Sequence, residues 1–188
     1  WGNCRVLLYM GTVRGKSEVV IRQRAGWAGE QVLKGNYDNR ILMICPLTLL
    51  HEDLEKRRRA EYLMVFGDDS EEGWDLYKEV LTVITYQKLE QLCKGDVSDQ
   101  RILQELLDRH RIIIADECHY WSEFSAFNIN THYSLDALLQ AEKDHTVVYM
   151  SATGRDTWKL LEEKGGPTQS ERIYRLPQYY EYVNAAYF

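Results

Sequence analysis

Apolar residues along this chain fall into short unbroken runs, separated by stretches with helical spacing. Arg5 to Met10 (RVLLYM), Arg40 to Cys45 (RILMIC), Glu79 to Thr85 (EVLTVIT), Ile112 to Ile114 and Thr146 to Met150 (TVVYM) read as strands. Runs rich in β-branched residues, without apolar–polar alternation, suit strands covered on both faces, as in a parallel sheet packed between helices. Pro46 closes the second run, since proline lacks the ladder donor. A further short strand is predicted over Glu61 to Phe66, and an edge strand in ERIYRL from Glu171.

Between the runs the period changes. Glu18 to Arg24 reads as a helix following the first strand. Thr48 is placed to cap a helix reaching Arg59, with Leu49, Leu50 and Leu54 inward. Thr85-Tyr86-Gln87 marks the exit of a strand into a helix. Ser98 is placed to cap a helix through Arg109, with Ile102, Leu103, Leu106 and Leu107 on one face. Leu135, Leu138 and Leu139 mark a helix over Tyr133 to Lys143. Another, from Asp156 to Lys164, stops at Gly165-Gly166-Pro167. Gly26 to Asn39 reads as a helix end and loop, Gly67 to Gly73 as an acidic surface loop, and Tyr120 to Asn130 as an aromatic and polar loop. Strands alternating with helices predict an α/β fold of three layers, a mainly parallel sheet between helices. Residues 1–170 are expected to form the domain, and 171–188 an edge strand and linker whose tyrosines serve packing.

Composition agrees with one globular domain. The 188 residues are 45% apolar and 28% charged, and suffice for a sizeable core. The net charge of −6 argues against a protein that binds nucleic acid over its whole surface, but leaves room for a local basic groove. Lys56-Arg57-Arg58-Arg59 reads as a solvated helix end, where cations suit the dipole. No apolar run is long enough to span a bilayer, so no membrane partner is expected. Cys4, Cys45, Cys93 and Cys118 are scattered and form no CxxC pair, which points away from a disulfide framework or zinc site and toward a reducing cytoplasm. Trp1, not Met, opens the sequence, so the natural N-terminus is expected upstream.

Two stretches change the picture from fold to chemistry. The Ile112–Ile114 run ends in Asp116 and Glu117, followed by Cys118 and His119. Adjacent carboxylates at the end of a buried strand are costly unless negative charge is used there. In open α/β sheets that end is where ligands sit. One carboxylate would hold Mg²⁺ and the other would polarise an attacking water. Alone, the run also reads as a strand entering a solvated acidic turn, and a phosphate cradle elsewhere decides between the two. The first strand leads into Gly11-Thr12-Val13-Arg14-Gly15-Lys16-Ser17. A phosphate-binding loop needs backbone N–H groups around a concavity, a lysine at the β- and γ-phosphates and a hydroxyl for Mg²⁺. Gly15-Lys16-Ser17 supplies the closing half, whereas Met10 and Val13 stand where small residues are preferred. In a parallel sheet Lys16 and Asp116 share one edge, so Ser17 and Asp116 can share one Mg²⁺ and Glu117 is left for water.

These motifs, in this order, resemble those of the first RecA-like domain of superfamily-two helicases and translocases of the DEAD/DEAH type. GTVRGKS resembles motif I, Cys45-Pro46-Leu47 motif Ia, Asp116-Glu117-Cys118-His119 motif II, and Ser151-Ala152-Thr153 motif III. Thr85-Tyr86-Gln87 resembles an element of the type III restriction and excision-repair branches, and the DECHYW…FN segment is similar to proteins of bacterial mobile elements. The resemblance implies a P-loop ATP hydrolase with ATP and Mg²⁺ as cofactors. Gly11 to Ser17 with Asp116 and Glu117 would bind the nucleotide, Lys16 at its phosphates and Ser17 and Asp116 at the metal. Glu117 would be the catalytic base or water-positioner. His119 would link the site to Ser151 and Thr153, which couple hydrolysis to strand movement. Pro46, Leu47, Thr85 and Tyr86 would lie near a nucleic-acid backbone, DNA rather than RNA. The resemblance also implies a second RecA-like domain carrying an arginine finger, worth about 10³–10⁵ in rate. Without that domain this chain is expected to hydrolyse ATP poorly. Two rival readings are a degenerate nucleotide-binding scaffold and a duplex-DNA translocase of a restriction system.

Overall fold

Six strands hydrogen-bond in parallel in the order β3-β2-β4-β5-β1-β6. The structure is a computed structural model that describes residues 4–9, 26–46, 56–60, 62–64, 67, 70–124, 129–152, 154–165 and 171–175. The predicted phosphate loop Gly11 to Ser17, the helix over 18–24, the Thr48 cap, Leu47 and Thr153 lie outside these residues. In chain order the elements are β1 (Cys4–Tyr9), α1 (Gly26–Leu33), β2 (Ile41–Cys45), α2 (Glu71–Lys78), β3 (Leu81–Thr85), α3 (Tyr86–Lys94) and α4 (Val97–Arg109). They continue with β4 (Ile112–Ala115), α5 (Tyr120–Phe124), α6 (Thr131–Ala141), β5 (Thr146–Ser151), α7 (Gly154–Gly165) and β6 (Glu171–Arg175).

The sheet has a core on each face, which is why its strands read as continuous apolar runs. Leu7, Leu42, Ile44, Ile113, Ala115, Val147 and Tyr149 pack with residues of α3, α5, α6 and α7. Ile41, Met43, Cys45, Leu81, Val83, Ile114 and Met150 face the other way, toward Ala28, Tyr62 and Tyr77. The expected three-layer α/β architecture with a parallel sheet is therefore present. The 171–175 strand pairs with β1, so it is part of this sheet.

Several local expectations are corrected. Residues 62–64, predicted as strand, are helical. Tyr62 packs against Trp74 and Tyr77 with ring centroids 5.6 and 5.3 Å apart, so its apolar character serves aromatic packing rather than a ladder. The acidic stretch predicted as loop contains the start of α2. Ser70 Oγ accepts from the Gly73 N–H, and Glu71 and Glu72 stand where the dipole favours acids. The cap of α4 is Asp96 rather than Ser98. Its Oδ1 accepts from the Ser98 hydroxyl and from the Ser98 and Asp99 N–H groups. Those bonds, the Ser98 hydroxyl first, hold the Asp96 carboxyl below its ordinary range. Tyr120–Phe124 is helix, not loop. In the basic run Arg58 is buried, donating to the Lys78 carbonyl at 3.0 Å, and the Arg59 guanidinium lies 4.9 Å from the Trp74 ring centroid. That run is partly an aromatic-packing element rather than a solvated face.

At the opposite end of the sheet from the acidic pair, His110 is buried just before β4. Its Nδ1–H donates to the Leu106 carbonyl at 2.6 Å, and Nε2 accepts from the Thr82 hydroxyl at 2.8 Å, which together fit the neutral ring. Burial pushes its pKa down, as do Arg40, Arg109 and His145, against the opposing effect of the Leu106 bond. The unfolded chain takes this proton near the ordinary value of 6.5, while the folded chain refuses it until lower pH. In that window the unfolded state binds more protons, so stability falls as pH falls. Urea midpoints are expected to drop below about pH 6.5, and to drop less in His110→Gln. Parallel pH profiles of the two proteins would show that His110 is not responsible.

Candidate functional site

β1, β5 and β4 are neighbours and parallel, so their carboxyl ends lie on one edge. Tyr9 stands opposite Ser151, and Ala115 opposite Tyr149. β1 therefore ends on the edge where β4 delivers Asp116. Asp116 is buried, and its N–H donates to the Ile44 carbonyl at 2.8 Å, extending the β2–β4 ladder by one residue. Its Oδ1 accepts from the Glu117 N–H at 3.0 Å.

Glu117 has φ +49°, the one positive φ among described non-glycine residues. Such a backbone costs of order 1–3 kcal/mol and persists only where its surroundings over-determine it. Here they do. The Cys118 N–H donates to the Met150 carbonyl at 2.9 Å, and the Tyr120 N–H donates to the Glu117 carbonyl at 2.9 Å. The reversal leaves Asp116 inside and puts the Glu117 side chain at the surface, 30% exposed. His119 Nδ1 lies 3.1 Å from Ser151 Oγ and 3.3 Å from Glu117 Oε2, and its Nε2 lies 3.6 Å from Glu123 Oε2. The carboxylate pair, the histidine and the β5 serine are thus one cluster, with Ser151 buried between the two halves of the edge.

A family model for DEAD/DEAH box helicases matches residues 2–160. The chain belongs to the DEAD/DEAH box helicase family. It is a helicase-family ATP-binding domain, and the family as a class hydrolyses ATP. The fold is shared with the crystal structure of the UvsW helicase from Bacteriophage T4, at 17% identity and a TM-score of 0.52. That match covers 92% of this chain and 54% of the other, so this chain spans about half the length of that helicase. No curated protein matches it in sequence. Among the described residues no helix is long and apolar enough to cross a membrane.

In this helicase-family domain the residues expected at nucleic acid separate. Cys45 and Thr85 are register partners on adjacent strands, so half-buried Pro46 and Thr85 share the carboxyl edge. Thr85 also caps α3, its Oγ1 accepting from the Lys88 N–H at 3.1 Å. Tyr86 is a correction. Its side chain is fully buried and cannot meet a nucleic-acid strand in this arrangement. Its hydroxyl donates to the Asp116 carbonyl at 3.0 Å, and its ring stacks on Tyr120 at 4.4 Å. Burial, with Cys118 and Asp116 nearby, pushes its pKa well up, so the hydroxyl stays a donor.

The support behind the acidic turn was not legible in the sequence. Glu90 Oε1 accepts from the hydroxyls of Tyr120 at 3.0 Å and Ser134 at 3.3 Å, and Trp121 Nε1 donates to Ser134 Oγ at 3.0 Å. Only the Tyr-Trp pair directly after the histidine hinted at it.

Proposed function

We propose that this chain is the ATP-hydrolysing first RecA-like domain of a nucleic-acid-dependent helicase or translocase. The observation that carries this is the turn after β4: a buried Asp116 beside an outward Glu117 in left-handed backbone, with His119 between Glu117 and Ser151. Among the described residues no three or more Asp, Glu, His or Cys side chains are grouped to hold a metal. Mg²⁺ is typically held by one or two carboxylates together with substrate phosphates and water. Asp116 and the Ser17 hydroxyl would hold it, and when bound it neutralises charge developing on the phosphates.

In this reading Lys16 binds the β- and γ-phosphates within the Gly11 to Ser17 loop. Glu117 orients the attacking water and receives its proton at the carboxylate. His119 links that carboxylate to Ser151 and Thr153, so the state of the nucleotide reaches motif III. Pro46, Leu47 and Thr85 lie along the path of a nucleic-acid backbone, DNA in preference to RNA, with contacts largely to phosphates. The tetrad reads as a DECH form of the family box, of the mobile-element or type III restriction-like branch. A second RecA-like domain supplies the arginine finger, and the compartment is the cytoplasm.

Hydrogen bonds to charged groups contribute about 1.5–3 kcal/mol. Lys16→Ala is therefore expected to weaken Mg·ATP binding roughly 10- to 100-fold by titration calorimetry. Equal affinity in both proteins, or none in either, would count against the site. Met10 and Val13 in the phosphate loop favour one second reading, a scaffold that keeps the fold without hydrolysis. An ATPase assay of the longest natural form, with and without single-stranded nucleic acid, separates the two. Stronger stimulation by duplex than by single strands would instead mark a duplex translocase.

A further inference from the structure

Four backbone groups set the conformation around Glu117: the Asp116 carbonyl, the Glu117 N–H, the Glu117 carbonyl and the Cys118 N–H. Three have partners in the turn itself or the adjoining strand, namely Asp116 Oδ1, the Tyr120 N–H and the Met150 carbonyl. The Asp116 carbonyl is held by a side chain 30 residues away, the Tyr86 hydroxyl at 3.0 Å. That carbonyl belongs to the peptide plane that Glu117 follows, so its direction and the Glu117 φ of +49° are set together.

The geometry points to Tyr86 as a positioning residue for the reaction. By holding the Asp116 carbonyl it fixes the left-handed turn that aims the Glu117 carboxylate out of the sheet edge. This rests on the role given to Asp116 and Glu117 above. The donor is itself rigidly placed. Tyr86 opens α3, whose cap is Thr85, and its ring lies 7° from parallel to Tyr120 with Trp121 edge-on at 5.4 Å. Tyr120 and Trp121 are tied to Glu90 and Ser134, on α3 and α6. A phenylalanine would fill the same space, so packing alone does not require the hydroxyl. Its function is to satisfy and orient one buried carbonyl. Misplacing a reacting group by a fraction of an ångström to 1 Å is enough to lower turnover without lowering affinity.

The test compares wild type, Tyr86→Phe, Glu117→Gln and the double variant in the longest natural form of the protein, with Tyr77→Phe as control. Supporting partners of this kind typically contribute roughly 10- to 100-fold to activity. Tyr86→Phe is expected to lower kcat by about that factor, with Mg·ATP affinity unchanged within about a factor of three. It should cause no further loss in the Glu117→Gln background. In nucleotide-free protein the Glu117 and Cys118 amides should exchange faster in Tyr86→Phe, while amides of β2 and β5 do not. Tyr77→Phe, in the core on the other face of the sheet, should leave kcat close to wild type. An unchanged kcat, the same fractional loss with and without Glu117, or unchanged exchange at the turn overturns the assignment. Failure of wild type to bind Mg·ATP overturns the functional reading instead, and the exchange measurement still decides whether Tyr86 fixes the turn.

Discussion

In the longest natural form of the protein, replacing Glu117 by Gln is expected to reduce ATP turnover by about 10²–10⁴, the range that a positioned general base contributes. Binding of Mg·ATP should survive, because the groups assigned to the phosphates and metal are Lys16, Ser17 and Asp116. Gln keeps the length of the side chain and its tolerance of the left-handed turn, so the substitution removes the proton acceptor and little else. His119 stays within reach of the new amide, since Nδ1 lies 3.3 Å from Glu117 Oε2 in the native cluster. Steady-state hydrolysis beside calorimetric binding checks both halves. A variant that turns over like wild type would remove Glu117 from the chemistry, and one that loses binding would place it among the ligand contacts.

The second large effect concerns the fold. Arg5 on β1 is fully buried and forms a bidentate pair with Glu142, just after α6, at 2.9 and 2.7 Å. Tyr149 on β5 donates to the same carboxylate at 2.7 Å, and burial, with that neighbour, pushes the Tyr149 pKa well up. The packing leaves no slack. A Cβ at Gly165 would collide with Arg5 Nη2. Truncating one partner of a buried pair costs about 3–5 kcal/mol, because the other charge stays buried without it. Glu142→Ala is therefore expected to lose about that much in urea unfolding, a large share of the roughly 5–15 kcal/mol typical of a domain. Since the same interior suits well-packed apolar groups, Arg5→Met with Glu142→Leu should recover most of the loss. A single variant as stable as wild type would show that Arg5 is hydrated or otherwise compensated.

Much of the site's neighbourhood was legible in the chain because it is written in adjacent residues. A β-branched run followed by Asp116 and Glu117 states both the strand and the charge at its end, and Ser151 likewise closes its own strand. Three of the departures from the sequence expectation share one cause, a partner distant along the chain. Local pattern misplaces Tyr62 and Arg58, because Tyr62 packs on Trp74 and Tyr77 and Arg58 donates to the Lys78 carbonyl, all outside a window of neighbouring residues. For Tyr86 the place in the sequence suggests a ligand contact, while its partner stands 30 positions on.

The sequence by itself determined the alternation of strands and helices and the carboxyl-end location of the acidic pair, since each depends on spacing along the backbone. Only the tertiary structure decided that β5 lies between β1 and β4, bringing Ser151 to His119, and that Arg5 meets Glu142 at a separation of 137 residues. It also decided that the Tyr86 hydroxyl is buried against the Asp116 carbonyl. Those outcomes depend on which strands pair and which surfaces are buried together, and both are properties of the folded chain as a whole.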